Sequence, residues 1–99
     1  MAKIKANEAL VKALQAWDID HLYGIPGDSI DAVVDSLRTV RDQFKFYHVR
    51  HEEVASLAAG SYTKMTGKIG VALSIGGPGL VNLLNGMYDA KMDKVPQLI

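Results

Sequence analysis

KIGVALSIGGPG, residues 68–79, is apolar through most of its length and then breaks on three glycines and a proline. A strand covered on one face alternates apolar with polar residues, whereas a strand covered on both faces reads as a nearly continuous apolar run. Ile69, Val71, Ala72, Leu73 and Ile75 follow the second pattern. That predicts a central strand with helices above and below it, and the rest of the chain is read outward from there.

Downstream, Gly76–Gly79 punctuates, and Leu80, Leu83, Leu84, Met87 and Tyr88 predict a helix from about Leu80 to Met92. VPQLI then opens a further strand. Upstream, a helix is expected from Glu52 to Thr66, with Val54, Leu57, Ala58 and Met65 inward and Gly67 ending it in a left-handed conformation. KFYHV precedes it as a strand. Ile30, Val33, Val34 and Leu37 mark another helix, preceded by the turn PGDS, whose Asp28 or Ser29 is placed to cap it. HLYGI is a strand, and Ala9, Leu10, Ala13, Leu14 and Trp17 define the face of a first helix. Strands alternating with helices through short loops give an α/β fold, a parallel sheet with helices on both faces. In such sheets ligands gather beyond the carboxyl ends of the strands. Three loops fall there: Gly24–Ser29, Val49–Glu53 and Gly76–Gly79.

Ninety-nine residues form one domain, 1–99, and bury roughly two-thirds of the surface the unfolded chain exposes. Eleven basic residues balance eleven acidic ones, which argues against nucleic acid as a partner, since that needs a basic face to displace counterions. Cysteine is absent, so there is no disulfide framework or thiolate nucleophile. The start lacks a signal peptide's apolar core and no run approaches a membrane span, so a cytoplasmic location is expected. The closing strand ends without turn or cap, which is expected of a truncated domain.

The spacing of GGPG fits neither the dinucleotide fingerprint nor the Walker loop, and Lys68 is followed by Ile69 rather than Ser or Thr. The loop is either a tight connection or a floor on which a flat ligand lies against bare backbone. His48, Arg50, His51 and Glu52 have no metal-ligand spacing, so no metal site is expected. Glu52 and Glu53 in a first helical turn interact favourably with the helix dipole. Alternatively one of them, partly desolvated at the ligand edge, has a raised pKa and exchanges protons with a bound molecule. Spacing does not select which acid points inward.

Taken in order, YGIPGDS, VRHEEVASLAAGSYTKMTGKIGVALSIGGPG and NGMYDAKMDKVP resemble the N-terminal pyrimidine-binding domain of thiamine-diphosphate enzymes of the pyruvate oxidase and acetolactate synthase superfamily. RHEEVA with GIPGDS is more similar to pyruvate oxidases and pyruvate:quinone oxidoreductases. Val81-Asn82 departs from the Thr-Asn of many relatives. The resemblance implies a flavodoxin-like pyrimidine-binding domain, truncated at its C-terminal end. It also implies a flavin-dependent oxidoreductase that decarboxylates pyruvate. Glu52 would be the catalytic carboxyl, hydrogen-bonded to ring nitrogen N1′ of the aminopyrimidine and favouring its imino tautomer, and Glu53 a structural acid. Gly76, Gly77, Pro78, Gly79 and Asn82 would join Glu52 in binding thiamine diphosphate, and Gly27, Asp28 and Ser29 would border the substrate. Magnesium and FAD are implied with sites outside this chain, as is a second copy of the subunit completing the active site. The 99 residues alone are then expected to be inactive. The electron acceptor, oxygen with phosphate or a quinone reached at the inner membrane face, is left open, as are an acetolactate synthase or 2-oxoacid decarboxylase activity and a non-catalytic flavodoxin-like binding module.

Overall fold

In the computed structural model, which describes residues 3–99, β3 (Gly70–Leu73) lies inside a four-stranded sheet, as its apolar run demands. Met1 and Ala2, the start of the expected domain, lie outside the described residues. The strand order is β2-β1-β3-β4, with β1 at His21–Gly24, β2 at Lys45–His48 and β4 at Gln97–Leu98. All pairings are parallel, with Tyr23 beside both Tyr47 and Ala72, and Gly70 beside Gln97.

Alternation along each strand feeds two cores. Leu22 and Val71 point to one face, where they meet Val11 and Leu14 of α1 (Ala6–Ala16) and Leu37 of α2 (Asp31–Thr39), together with Phe44. Tyr23 and Ala72 point to the other, where they meet Ala55 and Ala59 of α3 (Glu52–Thr66) and Met87 of α5 (Leu84–Met92). The expected α/β architecture is therefore the one observed. Among the described residues no helix is long and apolar enough to cross a membrane.

Several faces differ from expectation. In α1 the docked residues are Val11 and Leu14, while Leu10 and Trp17 stay exposed. The docking stripe includes a polar residue that apolar periodicity overlooks: Asn7 Nδ2 donates to Ser36 Oγ at 2.6 Å and to Ala32 O at 2.9 Å, tying α1 to α2. Asn7→Ala should cost about 1 kcal/mol, read as a lower urea midpoint at unchanged slope; an unchanged midpoint would remove this tie from the account. Neither Asp28 nor Ser29 caps α2. They enter a 3-10 turn (Asp28–Ile30) whose last amide donates to Gly27 O at 3.0 Å, and α2 begins without a side-chain cap.

The inward face of α3 is also corrected. Val54, Leu57 and Met65 are exposed, and the buried residues are Ala55, Ser56, Ala59, Gly60 and Thr63. Small side chains let α3 approach β3 until a Cβ added at Gly70 would overlap the backbone of Ala59. The end of α3 is as expected, with Gly67 at φ 74°. Nothing lies within 4 Å of its missing Cβ, so Gly67→Ala meets only backbone strain, about 1 kcal/mol, measurable as a fall in denaturant midpoint. At that end Lys64 bridges to Asp89 at 2.6 Å and Asp93 at 2.5 Å, joining α3 to α5.

The helix expected over Leu80–Met92 starts earlier and is interrupted. It comprises α4 (Pro78–Asn82) and α5, separated at Leu83. There the Ser56 hydroxyl donates to Leu83 O at 2.8 Å, and Gly86 packs so closely that a Cβ would overlap Ser56. Of the five apolar residues that mark this helix, Leu83 is buried and Met87 half-buried, whereas Leu80, Leu84 and Tyr88 are exposed.

Candidate functional site

The carboxyl ends of β1, β2 and β3 place three loops side by side. The Val49 amide, leaving β2, donates to Gly24 O at 3.0 Å, so the first two loops depart from a common point. Gly27 packs on Ile75, close enough that a Cβ there would overlap the Ile75 side chain. That contact brings the first loop onto the third. Asp28 and Ser29 are exposed in the turn that follows.

His51 ends the second loop as the N-cap of α3, its Nδ1 accepting from the Glu53 amide at 3.1 Å. Asp, Asn, Ser and Thr are the usual capping residues, so sequence reading passed over a histidine in this role. With the cap on His51, Glu52 is the first helical residue and Glu53 lies beyond it. Glu52 is the acid that reaches the third loop. Asn82 Nδ2, from the end of α4, donates to Glu52 Oε2 at 3.0 Å. On its other side, a Cβ at Gly79 would sit 3.3 Å from Glu52 Oε1 and 3.2 Å from Ile75 Cγ1. Gly79 is buried in this contact and Pro78 occupies the first turn of α4. Gly77 takes φ 74°, and Gly76 and Gly77 face open space, with nothing within 4 Å of where a Cβ would stand.

The structure thus brings Glu52, Gly79 and Asn82 together, with Gly76 and Gly77 as a bare rim and Gly27 joined through Ile75. Asp28 and Ser29 lie in the exposed turn that follows Gly27, and among the described residues their side chains form no hydrogen bond with Glu52 or Asn82. Among the described residues no three or more His, Asp or Glu side chains converge as a metal site.

The electrostatics of Glu52 correct one expectation. Its carboxyl is held below the ordinary glutamate range, first by the Asn82 amide and then by a bond to its own backbone amide, which outweigh the opposing desolvation; nearby His51 lowers it further. The raised pKa expected from burial is absent because the carboxylate is hydrogen-bonded and only half-buried. A depressed folded-state pKa contributes stability that is present above the unfolded value, near 4.5, and lost as pH falls through the folded one. The stability gap between the protein and its Glu52→Gln variant should therefore narrow on acidification below pH 4.5. Thermal melts across that range would show it, and a gap independent of pH would contradict the bond to Asn82.

A family model described as "Thiamine pyrophosphate enzyme, N-terminal TPP binding domain" matches residues 4–99. A Bacillus subtilis protein provisionally named as thiamine pyrophosphate-containing, YdaP, is 57% identical over 98 residues, 99% of this chain and 17% of its own length. The pyruvate oxidase of Lactiplantibacillus plantarum is 52% identical over 95 residues, 96% of this chain and 16% of its own length. An acetolactate synthase of Arthrospira platensis is 39% identical over 92 residues, 91% of this chain and 16% of its own length. The chain therefore spans about a sixth of the length of these curated relatives.

Proposed function

Because the chain belongs to the family of N-terminal TPP binding domains of thiamine pyrophosphate enzymes, we propose that it is the pyrimidine-binding part of an enzyme that oxidatively decarboxylates pyruvate with thiamine diphosphate and flavin. The observation that carries the reading is the placement of Glu52. One of its oxygens is held by Asn82 and the other borders Gly79, at the edge of a glycine rim with open space above it.

These residues fit one side of an aminopyrimidine. A carboxyl group is the partner a basic ring nitrogen needs, and unsubstituted backbone at Gly76 and Gly77 leaves room for the flat face of the ring. When bound, the cofactor supplies a carbon centre that takes up the electrons released as a 2-oxoacid loses carbon dioxide. This chain would contribute orientation and a proton path. Glu52 would hold a proton between the oxygen that borders Gly79 and the ring nitrogen. Ile75, covered by Gly27 and Gly79, would exclude water from one side of that contact. Asp28 and Ser29, exposed in the turn after Gly27, are assigned to the substrate side by family resemblance.

The choice of pyruvate oxidation over acetolactate synthesis rests on identity, 52% to a pyruvate oxidase against 39% to an acetolactate synthase. Magnesium, FAD and a second subunit are part of the proposal for the full-length enzyme. So is a cytoplasmic location, with any quinone contact made through other regions. The deciding measurement is anaerobic mixing of the full-length protein with pyruvate. Flavin reduction that depends on thiamine diphosphate is the expected result, while acetolactate formed without flavin reduction would replace this reading by the synthase.

A further inference from the structure

Asn82 ends α4 with its amide turned toward α3. We propose that it is a positioning residue that acts on the cofactor only through Glu52, selecting which carboxylate oxygen is presented to the ring. The inference rests on the reading of Glu52 given above. Its geometric basis is an asymmetry: Oε2 is occupied by Asn82 Nδ2 at 3.0 Å, whereas Oε1 stands beside the position a Gly79 Cβ would fill, at 3.3 Å. A glutamate at the start of a helix has freely rotating side-chain torsions, and losing one rotamer-fixing bond releases them. Asn82 removes that freedom and leaves Oε1 turned to Gly79, on the side of the glycine rim.

The position of Asn82 is itself fixed. The Leu83 carbonyl that follows accepts the Ser56 hydroxyl at 2.8 Å, pinning the end of α4 to α3 one turn along from Glu52. The interruption between α4 and α5 lies at this pin. The distance between Asn82 and Glu52 is therefore set by the α3 to α4 contact rather than by a flexible loop.

The bond also lowers the proton affinity of Glu52. Titratable neighbours are few: His51 beside it lowers its pKa, and Arg50 and Glu53 flank it in sequence. The loop from Ser74 to Gly77 and α4 carry no charged side chain, and Asp28 belongs to the β1 loop. Asn82 is thus the main side-chain influence on the carboxyl from outside its own segment.

A double-mutant cycle in the full-length apoenzyme tests the inference, read as thiamine diphosphate affinity by fluorescence quenching at fixed magnesium. Asn82→Ala should weaken binding on the order of tenfold in the parent, the scale of one hydrogen bond to a charged group, and have no further effect in a Glu52→Ala background. Circular dichroism establishes folding. Asn82→Asp, of equal size but without a donor, should match Asn82→Ala in affinity or fall below it, and should move the acid limb of kcat/KM to higher pH. Equal losses in both backgrounds would overturn the proposal and make Asn82 a direct ligand, leaving the function of Glu52 intact. If Glu52→Ala alone left affinity and turnover unchanged, the functional reading and this inference would fall together.

Discussion

Glu52→Gln in the full-length enzyme should lower kcat/KM for pyruvate by roughly 10²–10⁴-fold, the usual scale of general acid–base catalysis. Glutamine keeps the length of the side chain and can still accept from Asn82 Nδ2, so the contact at 3.0 Å survives in outline. What it loses is the ability to take up and release a proton, which is the function proposed for Glu52. Folding should change by about 1 kcal/mol or less, because the residue is half-buried and contributes no part of either apolar core. The informative pattern is near-parental melting with collapsed turnover. Turnover within a factor of a few of the parent would show that the carboxyl is only a first-turn acid serving the helix dipole. Glu53→Gln supplies the comparison, since its backbone amide rather than its side chain is engaged, by His51. Only a modest loss is expected there.

The parallel sheet could be read from one stretch because Val71 and Ala72 are adjacent and both apolar, which only a strand covered on both faces tolerates. The helix faces were harder to read for a physical reason. Periodicity counts large apolar side chains, yet α3 docks through Ala55, Ser56, Ala59, Gly60 and Thr63, whose value lies in being small. Val54, Leu57 and Met65 score higher on any hydropathy scale and remain exposed. Asn7 was passed over in the same way, as a polar residue doing interfacial work. At the site, position in the sheet located the loops, and resemblance chose Glu52 over Glu53. The structure adds what neither could supply. His51 caps the helix, which fixes the register of the two acids, and Asn82 reaches Glu52 across thirty residues. A hydrogen bond between residues so far apart leaves no local pattern, and it reverses the direction of the pKa shift that burial alone suggested.

The same close packing yields the largest effect on stability, Gly70→Ala. A methyl group at Gly70 would overlap the carbonyl oxygen, carbonyl carbon and Cα of Ala59, all backbone atoms that no rotamer change can move. Relief requires α3 to lift from β3, and that separation strains another contact. The Gly70 amide donates to Thr63 Oγ1 at 2.9 Å, and the same hydroxyl donates to Ala59 O at 3.1 Å, both buried. Overpacking and a weakened buried hydrogen bond together should cost at least about 3 kcal/mol. Gly76→Ala is the matched control, with open space around its missing Cβ and no positive φ, and its stability should stay within about 0.5 kcal/mol of the parent. Denaturant midpoints compare the two, and a Gly70→Ala protein as stable as Gly76→Ala would show that α3 does not rest on β3 as described. The consequence reaches the site because Ala59 and Glu52 share one rigid helix, separated by two turns, roughly 10 Å along its axis. Lifting α3 at Ala59 would tilt Glu52 away from Asn82, so under the proposed function the residual activity of a full-length Gly70→Ala enzyme should fall by more than the loss of folded protein accounts for.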